Sequence, residues 1–385
     1  MAMYEIRHAY DSLQVAEEKP GELSLEARLR AINRPLLDWY RNHARLLSWY
    51  HKNRRILPWR EQPESYRVWI SEIMLQQTRV EAVKPYFERF LEALPDISAL
   101  AAVEDDRLMK LWEGLGYYSR ARNLHKAAQI MQREYGGRFP AAYEGIRALP
   151  GVGDYTAAAV ASIAYRLPYP AIDGNLTRVL ARVHGVREDV GRPSVKRLIH
   201  ELGEREIDRE RPGDWNQALM DLGATICVPG TPDCARCPLQ AQCDAYAQGD
   251  ADQLPIRAAA RPPVPVDVGV GLVIAEGRVL MIKRDAALLK GLWTFLLCEG
   301  DSTPEGMARK LEALGMQANR IIPLGEARHV FTHRIWNMQL YRVDLPAMPG
   351  RTAGQWADAQ TLTGLPLPTA MKAARRAAMD ILLKE

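Results

Sequence analysis

Residues 149–180, LPGVGDYTAAAVASIAYRLPYPAIDGNLTRVL, decide the fold of the first part of the chain. Gly151 and Gly153 predict a turn whose glycines can take conformations that are closed to residues with side chains. The alanine-rich run of residues 157–164 favours a helix directly after that turn. A helix that begins at a glycine turn points free backbone N–H groups and its positive dipole end at the space in front. The stretch therefore predicts two helices joined by a turn that binds an anion.

Asp173 is the one carboxylate between the two predicted helices of this stretch, and it precedes Gly174 and Asn175. An aspartate at this point is typical of a helix N-cap. It could also stand beside a bound anion and take part in chemistry. The stretch alone favours the ordinary turn and cap, so the remaining motifs must decide.

The pattern of the 385 residues predicts two domains. Apolar positions three and four apart in residues 46–57 and 68–94 predict helices, and helices continue to about residue 247. A proline-rich stretch then predicts an extended linker. Beyond it, alternating residues with a turn at Glu276-Gly277 predict a hairpin, followed by a helix at 304–314, further strands and a closing helix from Thr369. The predicted units are an N-terminal extension (1–35), a helical domain (36–247), a linker (248–265) and an α+β domain (266–385).

Charge and hydropathy restrict the class of protein. The net charge of +4 is too small for an indiscriminate polycation, so nucleic-acid contacts must come from local basic patches. No run approaches 18 apolar residues, so no membrane span is expected. The first residues lack the apolar core of a secretory leader.

Four of the five cysteines lie close together, as Cys227-x6-Cys234-x2-Cys237-x5-Cys243. Such spacing indicates metal ligands in a reducing cytosol rather than disulfides. Zinc and a [4Fe–4S] cluster both accept four cysteines. A single C-x2-C in a compact loop favours the iron–sulfur cluster. Cys298 lies far away and is expected to be a buried thiol.

Two further stretches carry polar groups in apolar or aromatic surroundings. Glu72 has apolar neighbours on a predicted helix, and desolvation there would favour a protonated acid, although an exposed helical glutamate is the simpler interpretation. Residues 114–128, GLGYYSRARNLHKAA, place two tyrosines beside Arg120, Arg122, His125 and Lys126. This pattern suits stacking on bases and holding phosphates, or equally a tyrosine-lined core edge with a solvated helix.

Taken together, these motifs resemble adenine DNA glycosylases of the MutY kind, in the helix-hairpin-helix iron–sulfur glycosylase superfamily. The resemblance is carried by LPWR (57–60), WISEIMLQQT (69–78), GLGYYSRARNLHKAA, LPGVG, IDGNLTRVLAR (172–182), NQALMDLGATIC (216–227) and the cysteine loop. It covers residues 45–245 densely and the remainder loosely. It implies an all-α glycosylase domain with an iron–sulfur loop and an α+β Nudix-like domain.

The implied activity is base excision repair of double-stranded DNA, in which adenine mispaired with 8-oxoguanine or guanine is flipped out and removed. The resemblance also implies a [4Fe–4S] cofactor, a monomer and a cytoplasmic, nucleoid-associated location. It assigns Glu72 as the acid that protonates adenine and Asp173 as the carboxylate that stabilises the sugar cation. Asn175 would orient Asp173, and Tyr155 would lie near the sugar. The remaining implied positions are the adenine pocket (Trp59, Arg60, Gln217), the wedge around the opposite base (Gln77, Tyr117, with Thr78 and Leu115 adjacent), the hairpin glycines (Gly151, Gly153) and the cluster ligands (Cys227, Cys234, Cys237, Cys243).

Elementary chemistry agrees with two acids in different protonation states. A base inside a duplex must be extruded before it can be attacked. Adenine leaves readily only when protonated, and the oxocarbenium-like sugar then needs a negative charge. Glu72 in apolar surroundings suits the protonated acid, and Asp173 at a helix start suits the anion.

One position distinguishes related activities. Lyases of this superfamily carry a lysine two residues after the hairpin GVG, whereas this chain has Tyr155. We therefore expect base removal by water, without strand cleavage. The alternatives are an oxidised-pyrimidine glycosylase with lyase activity, a non-catalytic iron–sulfur DNA-binding protein, and a zinc-stapled transcription factor.

The C-terminal part resembles the Nudix-related domain that recognises 8-oxoguanine. Its stretch EGMARKLEALG (305–315) lacks the glutamate set of a Nudix hydrolase, so nucleotide hydrolysis is not expected. The recognition loop resembles residues 328–333, which end in Phe331, Thr332 and His333. Thr332 replaces the usual serine, keeping the hydroxyl and adding a methyl.

Overall fold

The structure, a computed structural model, describes residues 42–259, 262–350 and 354–384. The predicted extension at residues 1–35 lies outside these ranges. Within them, no helix combines the length and hydropathy that a bilayer span requires.

The first part of the described chain is helical, as the sequence predicts. Its helices are α1 (residues 42–53), α2 (Pro58–Glu61), α3 (Ser65–Leu75), α4 (Val80–Ala93), α5 (Ile97–Ala102), α6 (Asp105–Leu111), α7 (Ser119–Glu134), α8 (Tyr143–Arg147), α9 (Asp154–Tyr165), α10 (Gly174–Val183), α11 (Pro193–Glu206), α12 (Pro212–Thr225) and α13 (Asp244–Gln248). Two 3₁₀ turns, Cys234–Arg236 and Gln240–Gln242, lie between α12 and α13.

Two helices are shorter than the apolar spacing predicts. The predicted helix of residues 46–57 ends at residue 53, and Leu57 is extended because Pro58 disfavours a helical residue before it. The apolar pattern of residues 68–94 is interrupted at 76–79, where Gln77 takes a left-handed φ of 58°. The interruption creates a loop directly after the helix that carries Glu72.

Two large apolar clusters form most of the core of the helical domain. In one cluster, α3, α4, α7 and α9 bury residues such as Trp69, Phe90 and Trp112. In the other, α1, α10 and α12 enclose residues such as Leu176 and Trp215. Helix α9 contributes to both, through Ala157 and Val160 on one face and Ala158 and Ala159 on the other. The alanine-rich run of residues 157–164 therefore lies between the two cores.

The C-terminal part is a mixed sheet with helices. Its strands are β1 (Val264–Ala275), β2 (Arg278–Lys283), β3 (Trp293–Thr294), β4 (Leu296–Glu299), β5 (Arg320–Val330), β6 (Arg334–Asp344) and β7 (Gln355–Ala357), and its helices are α14 (Pro304–Glu312), α15 (Ala359–Gly364) and α16 (Lys372–Leu382). The described strands run in the order β3-β2-β1-β6-β5, with β4 paired to β1 and β7 to β2. β1 and β6 are parallel, and the predicted hairpin joins β1 to β2.

Alternation along β1 separates two cores. Val268, Val270 and Leu272 face α16, whereas Val273 lies with Met307 and Leu311 of α14. Cys298 is buried in the second of these cores, as expected. The fold class predicted from the sequence, a helical domain followed by an α+β domain, is confirmed.

Candidate active site

Glu72 and Tyr155 meet where α3 packs against α9. The Glu72 side chain is 5 % exposed, and the Tyr155 hydroxyl donates a hydrogen bond to its Oε2. Burial raises the pKa of Glu72 to about 7, the nearby charge of Asp173 adds to the rise, and Tyr155 and Arg60 oppose it. The exposed glutamate that was the simpler interpretation is therefore excluded, and the acid can be protonated near neutral pH.

Asp173 caps α10. Its Oδ1 accepts a hydrogen bond from the Leu176 backbone at 2.7 Å, and its Oδ2 accepts one from the Asn175 amide at 2.8 Å. Burial nevertheless raises the pKa of Asp173, against these hydrogen bonds, which stabilise the anion. The expectation that the helix start alone would favour the anion is too simple, because desolvation is the larger effect.

The two carboxyl groups share one environment. Asp173 is among the charges that raise the pKa of Glu72, and both acids help to hold the pKa of Tyr155 far above its ordinary value, after burial. Residues about a hundred positions apart in sequence thus lie close enough for both charges to act on the pKa of one tyrosine.

Arg178, which the sequence did not single out, orients Asn175. Its Nη2 donates to Asn175 Oδ1 at 2.9 Å and to the Gly223 carbonyl at 2.7 Å, while its Nε donates to the Cys227 carbonyl at 2.7 Å. Asn175 is therefore fixed between Asp173 and a buried arginine. The signal was present in the spacing, since residues 175 and 178 are one helical turn apart.

Of the predicted adenine-pocket residues, Trp59 lies in the core, whereas Arg60 pairs with an aspartate of α12, the helix that carries Gln217. Trp59 is buried, with its ring edge-on to Phe87 at 5.5 Å. Arg60 forms a bidentate pair with buried Asp221, at 2.7 and 3.0 Å. Gln217 lies one turn before Asp221 on α12, on the same face. Asp221 was missed from the sequence because its partner is 161 residues away.

The predicted wedge residues occupy two adjacent loops. Gln77 and Tyr117 both have left-handed φ values, 58° and 48°, which are uncommon for residues with side chains and cluster at functional sites. Tyr117 is exposed, whereas Leu115 is buried. The Thr78 hydroxyl lies beside the Gln76 carbonyl.

Arg120 joins these two loops from inside. Its Nη1 donates to the carbonyls of Ile73, Met74 and Gln76, and its Nη2 donates to those of Leu115 and Gly116, at 2.7–3.0 Å. The guanidinium thus satisfies the C-terminal carbonyls of α3 and fixes the loop that precedes Tyr117. Of the two interpretations of residues 114–128, phosphate binding does not apply to Arg120, because its side chain is buried.

The hairpin glycines have different roles. Gly151 has a φ of +76°, and a Cβ there would lie 2.6 Å from the Cβ of Asn123. Gly153 has a φ of −90° at the N-cap of α9, with open space around a Cβ. The predicted need for a glycine conformation is therefore correct for Gly151 and wrong for Gly153.

The predicted recognition loop joins β5 to β6. Phe331 packs edge-on against buried Trp336 at 5.0 Å, and Thr332 and His333 are exposed beside it. The Thr332 hydroxyl lies 2.5 Å from the hydroxyl of Tyr117. Two residues predicted to contact the base opposite adenine are therefore neighbours, although they belong to different domains.

The cysteine loop surrounds a cavity next to α10. All four thiols line it, namely Cys227, Cys234, Cys237 and Cys243. Arg182, buried behind them, donates to Cys227 Sγ at 3.2 Å. In the ranges that the structure describes, no three His, Cys, Asp or Glu side chains converge as ligands of a single metal ion. The donor set fits a thiolate-bound cluster that fills the space between the sulfurs.

Comparisons with known proteins identify the class first. Residues 70–205 match the HhH-GPD superfamily base excision DNA repair protein model, and residues 269–377 match a NUDIX domain. The helical domain is thus a base excision glycosylase fold of the HhH-GPD superfamily. The chain as a whole belongs to the adenine DNA glycosylase family.

This assignment rests on relatives that match most of the chain. The adenine DNA glycosylase of Mus musculus is 34% identical over 362 residues, covering 80% of this chain and 70% of the relative. That of Rattus norvegicus is 33% identical over 402 residues, covering 90% and 77%. Apart from that assignment, the chain is similar to a solved thermostable thymine-DNA glycosylase, with 28% identity, coverage of 54% of this chain and 98% of the other, and a TM-score of 0.49.

Proposed function

We propose that this protein removes adenine mispaired with 8-oxoguanine, and less efficiently with guanine, from double-stranded DNA. The observation that carries the proposal is the buried Glu72 carboxyl group, which accepts a hydrogen bond from Tyr155, lies near Asp173 and has its pKa raised to about 7. An acid that is protonated near neutral pH can donate a proton to the extruded purine.

In the proposed reaction, Glu72 protonates the flipped adenine, and the N-glycosidic bond then breaks. Asp173 stabilises the positive charge on the sugar, held in place by Asn175. Water completes the hydrolysis, and Glu72, now a carboxylate, can accept its proton. Because Tyr155 occupies the position of the lyase lysine, the product is an abasic site with an intact strand.

Cys227, Cys234, Cys237 and Cys243 would hold a [4Fe–4S] cluster. The cavity that the four cysteines line, with Arg182 donating to Cys227 Sγ, supports a thiolate-bound cluster at this site. When bound, such a cluster would cross-link the loop between α12 and α13 next to the helix that Asp173 caps.

The preference for 8-oxoguanine is assigned to Tyr117 and the loop of Phe331, Thr332 and His333. The 2.5 Å contact between the Tyr117 and Thr332 hydroxyls supports a shared site for the opposite base. A variant pair tests it. Thr332→Val should reduce the preference for 8-oxoguanine over guanine, whereas Thr332→Ser should keep it.

The chemistry is tested with Glu72→Gln and Asp173→Asn in single-turnover excision assays, with duplex affinity measured in parallel. Each variant should lose excision while duplex binding is retained. The exposed-site variant Glu92→Gln should behave as wild type. Near-normal turnover by either active-site variant would remove that residue from its proposed role.

A further inference from the structure

The C-terminal domain contacts the helical domain along the segment that leads from α6 to the loop of Tyr117. Leu292, between β2 and β3, is fully buried in a core cluster of the helical domain, and Leu289 packs beside it. An apolar centre surrounded by polar groups is the usual anatomy of a specific interface. The polar contacts around this apolar centre are made largely by two acidic residues of the helical domain, Asp106 and Glu113.

Asp106 receives the first pair of contacts. Lys283 Nζ lies 2.6 Å from its Oδ1, and Trp293 Nε1 donates to its Oδ2 at 3.1 Å. Both donors belong to the C-terminal domain, so each carboxylate oxygen of Asp106 accepts from across the interface.

Glu113 is bonded from both domains. Arg375 Nη1 donates to its Oε1 at 2.9 Å, and the backbone N–H of Leu367 approaches the same oxygen at 3.4 Å. Lys110, from its own domain, lies 2.6 Å from Oε2 and also donates to the carbonyl of Thr363 at 2.9 Å. Single exposed ion pairs contribute little, but here one carboxylate is the shared partner of several donors.

The position of Glu113 connects this interface to base recognition. Glu113 directly precedes residues 114–117, and Tyr117 contacts Thr332 of the C-terminal domain. On the far side of that loop, Arg122 Nη1 donates to the carbonyl of Lys290 at 2.6 Å. The loop is therefore flanked by interdomain contacts on both sides.

We propose that Asp106 and Glu113 are positioning residues for opposite-base specificity. They hold the C-terminal domain in the orientation that brings Thr332 to Tyr117, so they act on discrimination and not on bond cleavage. The inference rests on the proposed function and extends it to residues outside both the acid pair and the recognition loop.

The test uses the full chain with Asp106→Asn and Glu113→Gln combined, and Glu92→Gln as the matched control. Hydrogen exchange at the Leu367 amide and at residues 289–292 reports domain docking. Single-turnover excision is measured with adenine opposite 8-oxoguanine and opposite guanine. We expect faster exchange in the double variant. The ratio of the excision rate opposite 8-oxoguanine to that opposite guanine should fall about tenfold, equivalent to about 1.4 kcal/mol. Only the rate on the 8-oxoguanine duplex should change.

A double-mutant cycle separates a specific contact from general damage. If Glu113 acts through Arg375, then Glu113→Gln combined with Arg375→Gln should lower the ratio no further than the worse single variant. Unchanged exchange, an unchanged ratio, or an equal fall on both duplexes would each overturn the inference. A wild-type protein that shows no preference would instead contradict the proposed function, and with it the specificity role, while hydrogen exchange would still report docking.

Discussion

At the scale of single residues, Glu72 combines a stability cost with a chemical advantage. Its carboxyl group is buried beside Asp173, and Tyr155 is its hydrogen-bond donor. The sequence indicated the apolar surroundings of Glu72 through its helical neighbours. It could not indicate the hydrogen bond, because Tyr155 lies 83 residues away.

The pH dependence of excision should follow the protonation of Glu72. Because the pKa is raised to about 7, the acid is protonated below that pH, and the single-turnover rate should fall as pH rises through it. The Tyr155 hydrogen bond lowers this pKa, so Tyr155→Phe should move the descending limb to higher pH. A limb that stays in place or moves down in this variant would contradict the assignment.

Glu72→Gln should stabilise the fold at alkaline pH. The folded-state pKa of about 7 lies above the ordinary value of 4.5, so the folded state binds the proton more tightly and stability is lost as pH rises between the two values. Glutamine carries no such cost, and the variant should gain up to about 3 kcal/mol at pH 8 and little at pH 4. Urea unfolding at both pH values measures the difference, and Glu92→Gln should show none.

At the scale of elements, the hairpin and the two wedge loops show what local patterns predict well and what they miss. The glycine turn before α9 is predicted by composition alone. The loops at Gln77 and Tyr117 depend on Arg120, whose acceptors lie up to 47 residues away. A basic residue beside tyrosines therefore suggested a phosphate contact. In the folded protein, however, Nη1 and Nη2 of Arg120 already donate to backbone carbonyls, and only Nε has no acceptor.

Gly151→Ala and Gly153→Ala should separate folding from DNA binding. The first substitution forces a side chain into a left-handed conformation and against Asn123, so it should cost at least about 1 kcal/mol of stability. The second fits the φ of −90° and meets no neighbour, so melting should be unchanged. Duplex affinity should fall, since we propose that a DNA phosphate binds at this turn, in front of the N-terminus of α9. Equal melting temperatures for both variants would contradict this distinction.

Arg120→Met should perturb the loops at Gln77 and Tyr117 more than the rest of the fold. It removes the guanidinium donor from five backbone carbonyls, of which those of Ile73, Met74 and Leu115 are buried, and a loss of about 3 kcal/mol or more is expected. Thermal unfolding and excision measured together test this, with the exposed Lys126→Met on the same helix as control. Wild-type stability in Arg120→Met would show that the guanidinium is dispensable.

At the scale of the whole molecule, the two domains meet where the base opposite adenine would be recognised. Composition and periodicity predicted the helical domain, the α+β domain and their order. Neither could predict that Leu292 enters the core of the helical domain or that Glu113 binds Arg375, because these contacts join residues that no local pattern relates. The domain boundaries at residues 247 and 265 stay predictions.

The proposed chemistry requires that buried Glu72 and half-buried Asp173 together carry out hydrolytic removal of adenine. The most direct measurement is an excision assay on duplexes with adenine opposite each of the four bases and opposite 8-oxoguanine, with and without alkali. We expect release of free adenine, fastest opposite 8-oxoguanine, and strand breakage only after alkali. Strand cleavage without alkali, or release of an oxidised pyrimidine instead of adenine, would contradict it.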